Sequence, residues 1–487
     1  MALSPVTLTI KPNVDTVSTA FQSMGQISES NLIRYLNKQI EKLGGCRRLI
    51  NTPFAGFASA IMPWGALNGA KYIAIGTSAV LDVLGQSGIL TNITPAAGPG
   101  SGDWSLDKWG QDLVASPAGR TVYHWIPPVG IGNIATPVPN APPVINGLIV
   151  AAPQQQIITW GAFSTTLGAQ DPMLVRWCDV SGINIWVAAV NNQAGSFRIP
   201  HGSEIMAIMW PGLSGILWTD LDVWSITYVN YPLVYGFNNI SQNGGLIGRR
   251  AVAQLGQRIV WMSQNTFFIF QGGAIQELAC SVLDFVFDNL DKNFVDAIHA
   301  DANAYYGEVM WRFPVHGSGG VCTAYVKIQW EGGEVYWDFG HVGPNISAWS
   351  DQSIVGAPLG TDYNGLIQQF ETAIDWDDNP YNSGFLSGWF YLQEGHVSTF
   401  LERIRPDFSI NPGGEIMLSV IFADEIPEDD TDYPVRIYGP YPVTRATPFI
   451  IVRGSGMVAR IKLECTKPGT FWRYGKPMAN IASDGSR

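Results

Sequence analysis

Glu371, Asp375, Asp377 and Asp378 crowd into eight residues beside Trp376 and Tyr381. Carboxylates flanked by aromatic rings are what a glycosidase needs: one acts as acid, another as base or nucleophile, and a ring stacks on the sugar. Three of these acids fall within four residues just before Asn379-Pro380, and a polar turn is the simpler reading of that run. No catalytic residue is assigned to it.

The remaining chemistry-bearing residues are dispersed. The six histidines (124, 201, 299, 316, 341, 396) are unpaired in sequence, and the five cysteines (46, 178, 280, 322, 465) lie far apart with no C-x-x-C. The expected metal set is none, and the cysteines read as isolated structural thiols. No P-loop, H-E-x-x-H or G-x-S-x-G occurs. Gly98, Gly100 and Gly102 lack the strand-to-helix setting of a dinucleotide loop, so no cofactor-binding residue is expected. The acidic run from Asp424 to Asp432 reads as a solvated loop, since it lacks the central Gly and alternating ligands of a calcium loop.

These residues sit in a chain of 487 residues, at about 150 per domain enough for two or three domains. Only 14% of it is charged, against roughly 25% in an ordinary soluble protein. That deficit predicts extensive surface buried in the core or covered by subunits. With 53 Gly, 31 Pro and 18 Trp, the composition favours many short strands joined by tight turns over a helical bundle. Two uncharged stretches, 49–70 and 121–170, are broken by prolines and do not read as membrane spans. The second is expected to be an extended loop covering protein surface. The N-terminus shows no basic region followed by an apolar core and cleavage site, so assembly in the cytoplasm is expected.

Leu32, Leu36, Ile40 and Leu43 fall on one face at helical spacing, which predicts one N-terminal helix capped by Ser28 or Ser30 and ended by Gly44-Gly45. It would pack on the first sheet or dock a neighbouring subunit. From about residue 70 the pattern changes to strands of four to eight residues, such as 258–262, 266–270 and 323–330. Three segments beginning at Trp177, Trp218 and Trp261 share an aromatic, polar-turn, aromatic pattern, spaced 41 and 43 residues apart. That period matches a four-stranded propeller blade, with a β-sandwich of coincidental spacing as the alternative.

Residues 371–440 hold 14 acidic residues and three Arg, so nearly all of the net −12 lies there. The resulting expectation is a mainly β chain: an N-terminal arm and helix over 1–60, a β-propeller-like domain over 61–370, and an acidic C-terminal β module over 371–487.

An ordered series of segments carries a resemblance. It runs through Ile75-Gly-Thr-Ser-Ala-Val-Leu81, Asp107-Lys-Trp-Gly-Gln-Asp-Leu-Val-Ala115, Asp171-Pro-Met-Leu-Val-Arg-Trp177, Trp218-Thr-Asp220, Gly245-Leu-Ile-Gly248, Val260-Trp-Met-Ser263, 303–311, Arg405-Pro-Asp407 and Trp472-Arg-Tyr-Gly475. Over residues 29 to 475 this order resembles the tail nozzle proteins of short-tailed bacteriophages, also called tail hub or tail tubular B-like proteins. The segment 453–460 departs from the fuller Arg-rich pattern of that family.

The resemblance implies a structural virion protein with no catalytic residues to transfer. It would form a homo-hexamer below the tail adaptor (head-to-tail connector) ring, and tail fibre or tailspike and tail-tip proteins would join it. That ring would retain the packaged genome and conduct it during ejection. With 28 basic against 40 acidic residues, DNA contact is expected to be transient and sequence-independent. The competing expectation is a carbohydrate-binding or glycoside-hydrolysing propeller of a phage tail.

Overall fold

Residues 3–127, 133–180, 182–342, 345–352, 354–393, 397–427 and 434–484 are described by the structure, a computed structural model. Among them, seven antiparallel four-stranded sheets follow one another as meanders. In order they start at Ala58–Gly65, Trp104–Trp109, Gly147–Ala151, Ile205–Met209, Val252–Leu255, His299–Asn303 and Ile346–Ser350. Each such sheet has two faces to cover, and stacking it between two others around an axis covers both. The first strand of blade one lies beside those of blades two and seven, so the ring closes. Closure is also made by the chain itself. Blade seven supplies only three strands in sequence, and Gly45–Arg48 joins Ile367–Ala373 as its fourth.

Local chemistry repeats with the blades. Where the second strand turns into the third, one side-chain oxygen accepts the free backbone N–H groups of the turn. Thr77 Oγ1 takes those of Ala79 and Val80 at 3.0 and 2.8 Å, and Thr219 Oγ1 takes those of Leu221 and Asp222 at 3.2 and 2.7 Å. Asp362 Oδ1 takes those of Asn364 and Leu366, both at 2.9 Å.

Trp218, Trp261 and Trp311 lie on the second strands of blades four, five and six. Trp177 does not match them. It ends the third strand of blade three, whose second strand carries Trp160. The 41-residue spacing was therefore not one blade, because the hairpin Phe163–Ser164 with Ala169–Gln170 lengthens blade three.

The stretch 121–170, expected as a covering loop, is instead built into blades two and three through Tyr123–Trp125, Thr136–Pro137, Gly147–Ala151 and Gln156–Trp160. Pro137 falls in an outermost strand, where a missing N–H costs least.

The expected N-terminal helix is a hairpin. Ile33–Leu36 pairs with Gln39–Lys42 around Asn37 and Lys38, both at positive φ as a two-residue hairpin turn requires. The apparent helical spacing arose because that turn carries the apolar pattern across two strands. Polar residues at 34, 41 and 42 are buried along with Ile33, Tyr35 and Ile40, so no alternation was readable. Ser30 caps nothing; its hydroxyl donates to Phe339 O at 2.7 Å. Gly45 is needed for close approach, since a Cβ there would lie 2.1 Å from Asp375 O. The two short helical segments among the described residues lie at Leu283–Asn289 and Lys292–Ala297, between blades five and six.

Residues from both ends of the chain build three further sheets. Ser4–Thr7 pairs with Met478–Ser483, Ile27–Asn31 with Ser383–Ser387, and Gln39–Lys42 with Trp472–Tyr474. The segments 1–60 and 371–487, read from sequence as separate units, thus share sheets. One hydrophobic core runs through this unit and the propeller, joining Tyr35 and Trp472 to Trp261, Trp311 and Trp337.

Candidate functional site

The carboxylates singled out in the sequence lie where the propeller meets the unit built from the two termini. Glu371 accepts from Arg34 at 2.5 and 3.0 Å, and Arg34 also grips Glu308 of blade six. Asp375 Oδ1 accepts from Lys42 at 3.0 Å, and its other oxygen from the Gly469 N–H at 2.5 Å. Asp377 pairs with Arg48, and Asp378 stands exposed on the turn. Both Asp377 and Asp378 have positive φ, in keeping with the polar-turn reading. Trp376 stacks on Tyr381 with centroids 4.5 Å apart, and the Lys42 ammonium sits 4.2 Å over the Tyr381 ring.

Beside this turn is a cavity of about 530 Å³, lined by Arg48, His341, Gln368, Trp376, Asp377 and Asn382 among others. Its amides, two carboxylates (Asp362 and Asp377) and one guanidinium could hydrogen-bond a polar ligand.

The junction is held by buried charge. Lys327 donates to Ile33 O at 2.6 Å and Glu308 at 3.2 Å, and it pairs with Asp338 at 3.1 Å. Burial alone would push the Glu308 carboxyl up; Arg34 and Lys327 outweigh it and hold it below the ordinary range. Asp338 is pushed up to about 6, because its burial outweighs the pull of Lys327 and Glu308 repels it. Burial pushes up the thiols of Cys46, Cys178, Cys280 and Cys322 to about 12, which disfavours the thiolate.

Three histidines face a carboxylate: His124 with Asp112 at 2.9 Å, His201 with Asp222 at 2.6 Å, and His299 with Asp301 at 2.7 Å. Among the described residues none of these three rings is bonded to a Ser, Thr or Cys. His299 also bonds Ile346 O at 2.9 Å, tying blade six to blade seven. His396 lies outside the described residues, as do 428–432 of the acidic run. Asp424, at the start of that run, pairs with Arg436 at 2.7 Å. No group of three or more His, Cys, Asp or Glu among the described residues could hold a metal.

One polar cluster was not anticipated. Arg249 and Arg250, which precede the first strand of blade five, reach across to the other blades and line a cavity of about 470 Å³ with Ser59, Asp103, Asn146 and Asp296. Arg250 donates to Ser59 O of blade one (3.1 Å), to Ser347 O of blade seven (2.9 Å) and to Asp296 O before blade six (3.2 Å). Arg249 pairs with Glu204 before blade four and with Asp103 before blade two, and Asn146 before blade three donates to the same Glu204. Two consecutive residues thus connect six blades directly and the third through Glu204. The tandem Arg was the available signal, and only ring closure brings its partners together.

No family model matches the chain, and no curated protein does. Among solved structures, the chain is similar to a selenomethionine-substituted virginiamycin B lyase from Staphylococcus aureus. Identity is 10%, with 67% of this chain and 98% of that one covered, at a TM-score of 0.41. A streptogramin B lyase gives 11% identity over 65% and 95% at 0.38. A catalytically inactive virginiamycin B lyase with quinupristin gives 9% over 67% and 98% at 0.42. Likeness at this level carries no argument about activity, and the propeller rests on the strand order described above.

Proposed function

We propose that this chain is a structural virion protein, a tail nozzle or hub subunit of a short-tailed bacteriophage. Copies of it would form a ring around the DNA exit channel. The ordered series of segments from residue 29 to 475 is the observation that carries this reading. The geometry adds a constraint. The contacts of Arg249 and Arg250 between blades support a reading in which the conduit lies between subunits and not through a single propeller. The ring would be a homo-hexamer on the adaptor ring, assembled in the host cytoplasm and carried in the virion. Negative-stain imaging of the purified chain mixed with its virion partners tests this: six-fold rings are expected. Virions holding the chain as a monomeric fibre, or in no symmetric ring, would overturn it.

The cavity beside Trp376 favours a second reading, a carbohydrate-binding or glycoside-hydrolysing tail propeller. A glycan array combined with a hydrolysis assay separates the two. Sugar release abolished by Asp377→Asn would establish the second and displace the first.

A further inference from the structure

The unit built from the two chain ends carries an acidic pole and a cationic pole at opposite ends of one strand. That strand, Arg436–Val443, runs between them for eight residues, roughly 25 Å. At its start, Asp424-Glu-Ile-Pro-Glu-Asp-Asp-Thr-Asp432 holds six acids in nine residues and no Lys or Arg. Arg436 pairs with one of them, Asp424, at 2.7 Å and donates to Ser455 O at 3.0 Å, which ties this pole to the strand Ile450–Gly456. Glu425 is exposed. Arg453, two positions before Ser455, and Arg460, paired across strands with Ile421, are the other cations near this end, so six acids face three cations.

Beyond Val443 the chain reaches Arg445, which is exposed and lines a cavity of about 580 Å³ with Arg473, Gln39, Phe408 and Phe471. Gln39–Lys42, Trp472–Tyr474 and Phe408–Ile410 pair side by side and supply much of its wall. Arg405, Lys38 and Lys476 are exposed within two positions of lining residues. Most acids at this end are already engaged. Arg473 grips Glu41 through Nε at 2.7 Å, Asp407 accepts the Lys476 N–H at 2.7 Å, and Glu415 faces Lys467 at 3.9 Å. On the blade-six turn beside the hairpin, Glu331 accepts the Asn37 N–H at 2.9 Å and Glu334 is exposed. Neither Arg405 nor Arg445 has an acid partner among the described residues.

We propose that this cavity receives the acidic segment 424–432 of a second copy of the chain, with Arg405 and Arg445 pairing its carboxylates. A guanidinium offers two parallel N–H groups to a carboxylate, and such charge-assisted pairs are the strong ones. Phe408 and Phe471 beside the arginines give the aromatic and Arg-rich setting that protein interfaces favour. Charge selects the occupant, because the segment is the densest acidic run in the chain and the cavity holds the unpaired arginines. Two complementary poles at different places on one molecule make a head-to-tail contact, which closes into a ring where the rotation allows it. Contacts between like poles repel, which disfavours a face-to-face dimer. The proposal deepens the ring reading, on which it rests for closure, by naming the surfaces through which neighbours meet.

Sedimentation velocity of the purified full chain at low salt is the test. The parent should self-associate, with an affinity that falls as salt rises. Arg405→Glu with Arg445→Glu reverses one pole, and Glu428→Lys with Asp429→Lys and Asp430→Lys reverses the other. Each variant alone should associate about tenfold more weakly, since its contacts then join like charges. An equimolar mixture of the two should recover the parent's affinity, because opposite charges meet again at both contacts. Both substituted arginines are exposed, and circular dichroism verifies that each variant folds. A monomeric parent, association insensitive to salt, or no recovery in the mixture would overturn the proposal. Imaging with the adaptor ring separates it from the ring reading. Six-fold rings formed there equally well by each variant alone would overturn this contact and leave the ring; recovery on mixing without any ring on the adaptor would keep the contact and overturn the ring.

Discussion

Arg34 and Glu308 face each other in a two-point pair, Nε to Oε1 at 2.7 Å and Nη2 to Oε2 at 2.8 Å, with side chains 2% and 5% exposed. The residues are 274 apart in sequence and belong to different halves of the molecule. One sits on the hairpin near the N-terminus, the other at the start of the second strand of blade six. Removing one member of a buried pair strands the other, which costs about 3–5 kcal/mol, whereas replacing both with apolar groups is often near neutral. Arg34→Met should therefore lower the unfolding free energy by about 3–5 kcal/mol, and Glu308→Met on top of it should recover part of the loss. Urea unfolding of the parent and the two variants measures this. Equal stability of Arg34→Met and the parent would show that the pair does not hold the halves together.

Asp338 sets a pH dependence of unusual sign. Its carboxyl is raised to about 6 from an unfolded value of 3.8, so between those pH values the folded protein binds a proton that the unfolded chain does not. This group's contribution to stability grows as pH falls from 7 toward 4, by about 3 kcal/mol at most. Glu308 acts in the opposite direction. Held below 4.5 in the fold, it loses its contribution as pH falls through its folded value. Asp338→Asn should flatten the rise between pH 6 and 4 and leave the acid limb in place. Denaturant midpoints of parent and variant across pH 4 to 8 provide the measurement, and parallel curves would contradict the assignment.

Arg250 is the keystone of the axial cluster. Arg250→Met leaves three carbonyls without that donor; two of the bonds are part-buried and the third is exposed, so the loss is about 1–2 kcal/mol. Faster amide exchange in the first strands of blades one and seven should accompany it. Arg250→Lys keeps the charge but not the planar fork, so it should restore less than half. Full rescue by Lys would mean that charge rather than geometry joins the blades.

DNA binding should be weak. Affinity for a duplex comes from counterions released by clustered Lys and Arg, whereas here 28 basic residues face 40 acidic ones and the tandem Arg249-Arg250 is engaged in the axial cluster. Gel-shift titration at physiological salt should show no submicromolar duplex complex. A tight, salt-sensitive complex would reveal a basic surface assembled from dispersed residues.

Much of the strand content was legible in the sequence because blades are local. A hairpin such as 258–262 with 267–271 writes its apolar residues and its turn within about 15 positions, and Thr219 marks the turn that it caps. The N-terminal hairpin was not legible, because both of its faces are buried and its polar residues Arg34, Glu41 and Lys42 point to partners hundreds of positions away. Trp177 misled for a related reason: periodicity records distance along the chain, and an inserted hairpin changes that distance without changing the fold.

By itself, then, the sequence determined a mainly β chain with blade-length hairpins, an acidic late segment and no contiguous catalytic motif. Those properties depend on composition and short-range pattern. Tertiary structure alone decided that Gly45–Arg48 closes the ring, that Arg249 and Arg250 join blades across it, and that Glu371 and Asp375 pair with Arg34 and Lys42 where the propeller meets the unit built from the chain ends. Each of these is a pairing whose stability depends on burial and on a partner remote in sequence, and neither is visible until the chain has folded.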